Sequence, residues 1–338
     1  MPPDAAPPTA ITRATWTFDV RGAVPVAGAF ELAASWIAPA PSETDAPISV
    51  LVCLPGGFLS RHYFDLESEG SRTYSFAEAM ASRGYGVLAF DHPGTGDSSK
   101  PTPAEAGLAI GVDAIAAAHQ AGLEQARARI RAGDPRSGTP PREIGRCIGV
   151  GHSMGSMLTV EQQALARPHD ALLLFSFSTA GTPRFIGPSL MAYANQPERL
   201  RREMPELLER EMGGPYPPRA NGATEDRVAA FGVGTAPPEA EAALQAAATN
   251  LLAAGGLTSM VPGGYAPAAG KIDVPVLMVF GDHDLHDDRH TAAELPLVRE
   301  LETFRLDDAW HCHFVANTRE RLWERVALWL DARAAPGD

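Results

Sequence analysis

A serine between two glycines is the first feature of the sequence that could perform chemistry. Residues Gly151–Gly155 read GHSMG, a match to G-x-S-x-G, and they follow the apolar run Ile148–Val150 and precede a helix-like segment. At a very tight turn from strand to helix, side chains two residues before and after the serine would collide with neighbouring backbone. The pattern therefore predicts a nucleophile at Ser153, although a glycine-rich chain can also match it by chance.

A serine hydroxyl is a weak nucleophile at neutral pH, so it needs a base, and the base needs an acid that orients it. Two acids, Asp282 and Asp284, follow a late apolar run directly, and two histidines, His311 and His313, follow the last short run. Side chains that come just after strands of a parallel sheet share one edge of it. The residues alone leave both pairs open.

No metal or cofactor site is predicted. The H-x-x-H spacing within residues 283–290 matches no metal-binding motif, and the three cysteines form no C-x-x-C pair. Residues 91–98 (DHPGTGDS) are rich in glycine but lack G-x-G-x-x-G, so they predict a structural turn rather than a dinucleotide-binding loop. The chemistry of a serine nucleophile requires neither a metal nor an organic cofactor.

Short apolar runs must supply the strands that position these residues. Continuous apolar runs are typical of strands buried on both faces of a parallel sheet. The runs are Ile48–Leu54, Gly86–Phe90, Ile144–Val150, Ala171–Phe177, Val274–Phe280 and Thr303–Leu306. Residues 104–132 and 156–166 are helix-like, and residues 15–39 alternate like antiparallel strands. Strand–helix alternation predicts an α/β fold with a mostly parallel central sheet flanked by helices.

Residues 184–270 interrupt this alternation and predict an inserted cap. The segment is rich in Pro, Gly and Ala and contains charged helical pieces. Its larger apolar residues are Phe185, Met191, Tyr193, Met204, Met212, Phe231 and Met260. The predicted organisation is a disordered tail (1–12), a core (13–183 and 271–338) and the cap (184–270). The apolar cap residues either pack the cap's own small core or line a substrate pocket.

The chain resembles the α/β-hydrolase superfamily over nearly its whole length, and the cap matches in position. In that superfamily the acid usually ends a pattern like G-x-x-D, which favours Asp284 over Asp282. The histidine usually stands about five residues beyond the last strand, which favours His311 over His313. This sequence departs from the pattern because Trp310 stands where glycine is typical and because a second histidine is nearby.

The resemblance also implies an oxyanion hole made of two backbone N–H groups. One would belong to Met154, the residue after the nucleophile. The other would come from the loop Leu54–Phe58, in which Pro55 stands where the superfamily often has histidine. Gly57 is the first choice for the second donor and Phe58 is the second choice. The alternative interpretation of this loop is an ordinary turn.

Charge and composition limit the partners. The net charge of −13 argues against nucleic acid, whose phosphates would be repelled. No apolar stretch of about 18 residues occurs, so no membrane span is expected. The N-terminus does not resemble a signal peptide, and a cytoplasmic location is expected. The sequence does not predict an oligomeric state.

The predicted function is a serine hydrolase that cleaves a carboxylic ester or a lactone through an acyl-enzyme, acting on a small apolar acyl substrate. The same fold also supports an acyltransferase, a thioesterase or a carbon–carbon bond hydrolase. A serine nucleophile argues against haloalkane dehalogenases and epoxide hydrolases, which use aspartate there. An alternative from another class is a non-catalytic homologue that only binds a ligand.

Overall fold

The computed structural model describes residues 10–40, 46–218, 232, 234–287, 289 and 291–333. The predicted tail lies outside these residues up to position 9, and the first strand begins at Ile11, before the predicted start of the core at residue 13. Phe231 of the predicted cap and His290 also lie outside the described residues. The predicted domain boundaries remain predictions.

Strands form one sheet of eight members, which confirms the predicted fold class. They are β1 (Ile11–Asp19), β2 (Glu31–Pro39), β3 (Ile48–Leu54), β4 (Gly86–Phe90), β5 (Ile144–His152), β6 (Ala171–Phe175), β7 (Val276–Gly281) and β8 (Leu301–Leu306). Their order across the sheet is β1-β2-β4-β3-β5-β6-β7-β8. The pairs β1/β2 and β2/β4 are antiparallel, and every pair from β4 to β8 is parallel.

The central strands β3, β4, β6 and β7 are buried on both faces, as the continuous apolar runs predicted, whereas the edge strands β1 and β8 are partly exposed. Alternate residues of β3 show this, because Val50 and Val52 belong to one hydrophobic cluster whereas Leu51 and Cys53 belong to the other. Strand β6 ends at Phe175, two residues earlier than predicted. The next residue, Ser176, has a φ of 54°, which takes the chain out of the extended conformation.

Helices cover both faces of the sheet. The α-helices are α1 (Phe76–Ala81), α2 (Val112–Ala132), α3 (Met154–Ala166), α4 (Pro188–Met191), α5 (Pro197–Arg202), α6 (Met204–Met212), α7 (Pro238–Ala246), α8 (Ala253–Met260), α9 (Ala266–Ala269), α10 (Thr291–Glu294) and α11 (Arg319–Asp331). Short 3-10 helices span Arg61–Asp65, Ala104–Ala109, Pro183–Phe185 and His313–Val315. In the described residues, no helix combines the length and apolar character that crossing a membrane requires.

The helix-like segment 104–132 is divided in the structure. A 3-10 helix ends at Ala109, and α2 begins only after Gly111, whose backbone is extended. Two of the charged helical pieces of the insertion are the consecutive helices α5 and α6. The break falls at Glu203, just before Pro205, whose missing N–H suits the first turn of a new helix.

The segment between β6 and β7 carries α4 to α9 and packs over the carboxyl ends of the central strands. Helix α8 contacts α3, and a Cβ on Gly255 would lie 2.9 Å from the sulfur of Met154. A short antiparallel bridge joins Leu59 to Ala248, and the N–H of Thr249 donates to the carbonyl of Phe58 at 2.9 Å. The segment is therefore hydrogen-bonded to the loop that follows β3.

Candidate active site

The turn around Ser153 is sterically tight, as the GHSMG pattern predicted. Ser153 has φ 54° and ψ −121°, between the last residue of β5 and the first of α3. A Cβ on Gly151 would lie 2.3 Å from the Cα of Ser156, and one on Gly155 would lie 2.0 Å from the carbonyl oxygen of Leu54. Only glycine fits at either position, and the strained serine is held by its N–H, which donates to Phe175 at 2.8 Å.

Asp284 is the acid that faces the histidines. Its buried carboxylate follows β7 and accepts hydrogen bonds from the backbone N–H groups of Leu285 (2.7 Å) and Gly281 (3.2 Å). Asp282 instead accepts the N–H groups of Asp308 and Ala309, each at 3.0 Å. These bonds connect Asp282 to the loop after β8. They give its carboxylate a structural role that requires no part in a reaction.

Both candidate histidines bind the Asp284 carboxylate, one at each oxygen. The Nδ1 atom of His311 lies 2.8 Å from Oδ1, and the Nε2 atom of His313 lies 2.8 Å from Oδ2. His311 lines the same cavity as Ser153, whereas His313 is 0% exposed and is not among the cavity residues. The two histidines therefore differ in access to a ligand, not in contact with the acid.

Charges in this cluster are set by burial and by the two histidines. Burial alone would raise the pKa of the Asp284 carboxyl, but His313 and His311 hold it well below its usual range. The pKa of His152 is lowered far below its usual value, chiefly by burial and then by the same two histidines. Burial also lowers the pKa of His286 to about 4. At neutral pH Asp284 is thus an anion, and His152 and His286 are neutral.

Ser176 is a member of the cluster that the sequence did not reveal. Its hydroxyl donates to Oδ1 of Asp284 at 2.8 Å and lies 3.0 Å from Nδ1 of His311. The available signal was its place directly after β6, because β6 lies between β5 and β7 and its end therefore meets theirs. That signal depends on strand order, which the sequence does not give.

The loop after β3 lies against the turn that carries the serine. A Cβ on Gly56 would lie 2.6 Å from Nδ1 of His152 and 3.2 Å from the Cβ of Ser153. Phe58 has a φ of 62°, which turns the loop back toward the segment at Thr249. Among the described residues, the N–H groups of Gly57 and Met154 donate to no backbone carbonyl.

The glycine-rich turn after β4 supports this loop. Asp91 is paired with the guanidinium of Arg61 and accepts the N–H of Asp97 at 2.9 Å. Nε2 of His92 lies 2.9 Å from the carbonyl oxygen of Pro55, and its Nδ1 lies 3.0 Å from Nε2 of His119. Burial lowers the pKa of His92 to about 4 and that of His119 well below its usual value. Both imidazoles are neutral at pH 7.

A mostly apolar cavity of about 320 Å³ opens onto Ser153. Of the apolar cap residues, Phe185 and Met260 line it, whereas Tyr193 and Met204 are buried in a core cluster and Met191 is 37% exposed. The other lining residues are Gly57, Phe58, Leu59, His152, Met154, Ser176, Thr182, Leu244, Leu251, Gly256, Ser259, Tyr265, Leu285, His286, His311 and Cys312. Within the described residues, no group of three or more His, Cys, Asp or Glu side chains is arranged to hold a metal ion.

Comparison with known proteins agrees with this architecture. A hypothetical protein from Pseudomonas aeruginosa has a similar structure (TM-score 0.59, 16% identity, 97% of this chain and 96% of that chain). So do a bromoperoxidase from Bacillus anthracis (0.56, 13%, 95% and 100%) and an E-2-(acetamidomethylene)succinate hydrolase (0.55, 16%, 94% and 99%). No curated protein matches the chain in sequence. The Alpha/beta hydrolase family matches residues 51–325, most of the chain, and the protein belongs to that family.

Proposed function

We propose that the protein is a serine hydrolase that cleaves a carboxylic ester or a lactone through an acyl-enzyme. One observation supports the proposal most. The strained Ser153 opens into the same apolar cavity as His311, and the other side of that imidazole is bound by the buried, ionised Asp284 at 2.8 Å. Nucleophile, base and orienting acid are the three parts that acyl transfer by serine requires.

The proposed first half-reaction forms the acyl-enzyme. Ser153 Oγ attacks the ester carbonyl carbon while His311 Nε2 takes its proton, and Asp284 stabilises the imidazolium through Nδ1–H. The N–H groups of Met154 and Gly57 bind the developing oxyanion; loss of one such donor typically costs around 3 kcal/mol of transition-state stabilisation. The C–O bond then breaks, and the leaving oxygen takes the proton from His311.

The second half-reaction releases the acid. Water enters the cavity and attacks the acyl carbon while His311 again accepts a proton. The bond to Ser153 Oγ breaks, and the serine recovers its proton from His311. A cavity of about 320 Å³ walled by Phe185, Leu251 and Met260 suits a small apolar acyl group. His286 also lines the cavity, and because it is neutral at pH 7 it adds no charge to the wall.

The test is covalent labelling with a fluorophosphonate, followed by mass spectrometry of the labelled peptide. We expect labelling at Ser153 that is lost in Ser153→Ala and in His311→Ala. Ser259→Ala is the matched control, because Ser259 lines the same cavity but lies on α8 rather than at the tight turn. This variant should retain labelling.

A folded wild-type protein that reacts neither with a bulky fluorophosphonate nor with a small sulfonyl fluoride would contradict the proposal. The non-catalytic ligand-binding alternative would then be favoured. If labelling succeeds, a panel of esters, lactones, thioesters and β-diketones separates the hydrolase classes. Product analysis with added alcohol acceptors distinguishes hydrolysis from acyl transfer.

A further inference from the structure

We propose that His313 is a positioning residue for the acid of the site. It donates Nε2–H to Oδ2 of Asp284. This bond holds the other oxygen, Oδ1, toward His311. It also limits how strongly Oδ1 binds the His311 imidazolium. The proposal rests on the proposed function, in which His311 is the base. The two histidines that share the Asp284 carboxylate therefore have separate roles: His311 exchanges protons with Ser153 and the substrate, and His313 orients the acid.

Hydrogen bonds surround the Asp284 carboxylate. Oδ1 accepts from His311, from the Ser176 hydroxyl and from the N–H of Leu285, at 2.7 to 2.8 Å. Oδ2 accepts from Nε2 of His313 at 2.8 Å and from the N–H of Gly281 at 3.2 Å. The bond from His313 is the shorter of the two at Oδ2 and the only one there from a side chain among the described residues. Together with the N–H of Leu285 at Oδ1, it fixes the rotation of the carboxylate about its Cβ–Cγ bond.

The surroundings of His313 exclude direct contact with substrate. Its ring is 0% exposed, packs against Phe175 with ring centres 5.7 Å apart, and does not line the cavity. Its Nδ1 atom is buried without a partner among the described residues. A proton on Nδ1 would find no acceptor there, whereas the 2.8 Å contact with Oδ2 requires a proton on Nε2, which Asp284 accepts.

A donor at Oδ2 changes the chemistry at Oδ1. Each added donor stabilises the anion and lowers its basicity, which weakens its attraction for the His311 imidazolium. The other titratable groups that face this cluster are His152, His286, Tyr63 and Cys312. Among the described residues, His152, His286 and Tyr63 do not hydrogen-bond to Asp284, and all four groups stay the same when His313 alone is changed.

The experiment compares His313→Gln with His313→Met. Gln places an amide N–H close to the position of the imidazole Nε2, whereas Met has nearly the same shape and no donor. The rate constant for fluorophosphonate labelling of Ser153 is measured against pH in both variants and in the wild type. We expect the Met variant to lose roughly 10- to 100-fold at the optimum because the acid loses its orientation.

The acidic limb of the pH profile gives the second readout. Without the donor, Asp284 binds the His311 imidazolium more tightly, so the limb of the Met variant should move to higher pH by roughly half a unit or more. The Gln variant should remain within about threefold of the wild-type rate and retain the wild-type limb, since it restores the donor. A merely structural role would lower rates without moving the limb.

Three results would overturn the proposal: a folded Met variant with the wild-type rate and limb, a Met variant that loses rate without a shift of the limb, or equal losses in the Gln and Met variants. If the Met variant does not fold, His313→Asn replaces it, because its shorter amide stops near the Nδ1 position and does not reach Asp284. Failure of the proposed function is separate, since it appears as absence of Ser153 labelling in the wild type.

Discussion

Two pairs of buried histidines lie on opposite sides of the loop after β3, and they differ in what stands between the rings. Asp284 lies between His311 and His313 and binds one ring at each oxygen. His92 and His119 contact each other directly at 3.0 Å, and the far side of His92 meets the carbonyl of Pro55. The first pair shares an anion, whereas the second shares only a neutral hydrogen bond.

Burial without an anion keeps an imidazole neutral. In the part of the chain that the structure describes, the ring of His92 hydrogen-bonds only to His119 and to the carbonyl of Pro55, and burial lowers its pKa to about 4, so at pH 7 it is neutral. The other pair instead holds an anion between its rings, and in the proposed reaction that anion faces the imidazole that a substrate can reach. Proton transfer is thus expected at His311, which shares Asp284 with His313. His92 and His119 are instead expected to support the loop after β3, and we call them the support pair.

The largest effect is expected when the anion is removed. Asp284→Asn should lower kcat/KM by about 10⁴-fold, the size of loss seen when the acid of such a triad becomes an amide. The matched control is Asp282→Asn, which alters a carboxylate of the same loop that accepts the backbone N–H groups of Asp308 and Ala309 and hydrogen-bonds to neither His311 nor His313 in the described structure. We expect less than about threefold loss there. Comparable losses in the two variants would show that the acid has been misassigned.

Acid should lower the free energy of unfolding through His92, one of the support pair. His92 binds a proton less readily in the folded chain, at a pKa of about 4 against an ordinary 6.5, so the unfolded state holds more protons between these values. The stability it contributes is therefore present above pH 6.5 and is lost as the pH falls toward 4, roughly 3 kcal/mol in all. His92→Gln should lose about 3 kcal/mol less than the wild type over that range. Denaturant unfolding at pH 7 and pH 4.5 measures this, and identical pH slopes would refute it.

A smaller effect is expected when the support pair loses one bond. His119→Leu removes the Nε2–H that reaches His92 and should reduce the free energy of unfolding by about 1–3 kcal/mol. The acidic limb of the pH–rate profile should stay in place, because no proton of the reaction passes through this pair. His119→Gln, which can keep a donor near that position, is the control. A shift of the acidic limb in the Leu variant would contradict the assignment of proton transfer to the histidines around Asp284 alone.

The smallest effect is expected at Ser176. Ser176→Ala removes one of the donors to Asp284 while His313 and the backbone donors remain, so kcat should fall roughly tenfold with little change in KM. Ser178→Ala is a control, because that nearby hydroxyl binds Glu294 instead. An unchanged kcat would mean that the remaining donors suffice to orient the acid.

Local patterns predicted the parts of the site that depend on neighbouring residues. The glycine at 151 follows from a local steric conflict with Ser156, and the two carboxylates and two histidines follow from strand ends, whereas the conflict at Gly155 is with Leu54 on the neighbouring strand. The sharing of Asp284 by both histidines was not predictable, because it depends on the order of β5 to β8. The contact of Gly56 with His152 depends equally on sheet order, and only the folded chain brings Ser176 between acid and base.

The bridge between Leu59 and Ala248 has a consequence for redesign. Because the inserted segment is hydrogen-bonded to the loop that carries Gly57, it is not an interchangeable module whose only influence is on which molecules enter. Grafting a foreign segment between β6 and β7 would withdraw support from the loop as well as reshape the cavity. Libraries that aim at new selectivity should therefore keep residues 247–251 and vary the walls at Phe185, Ser259 and Met260.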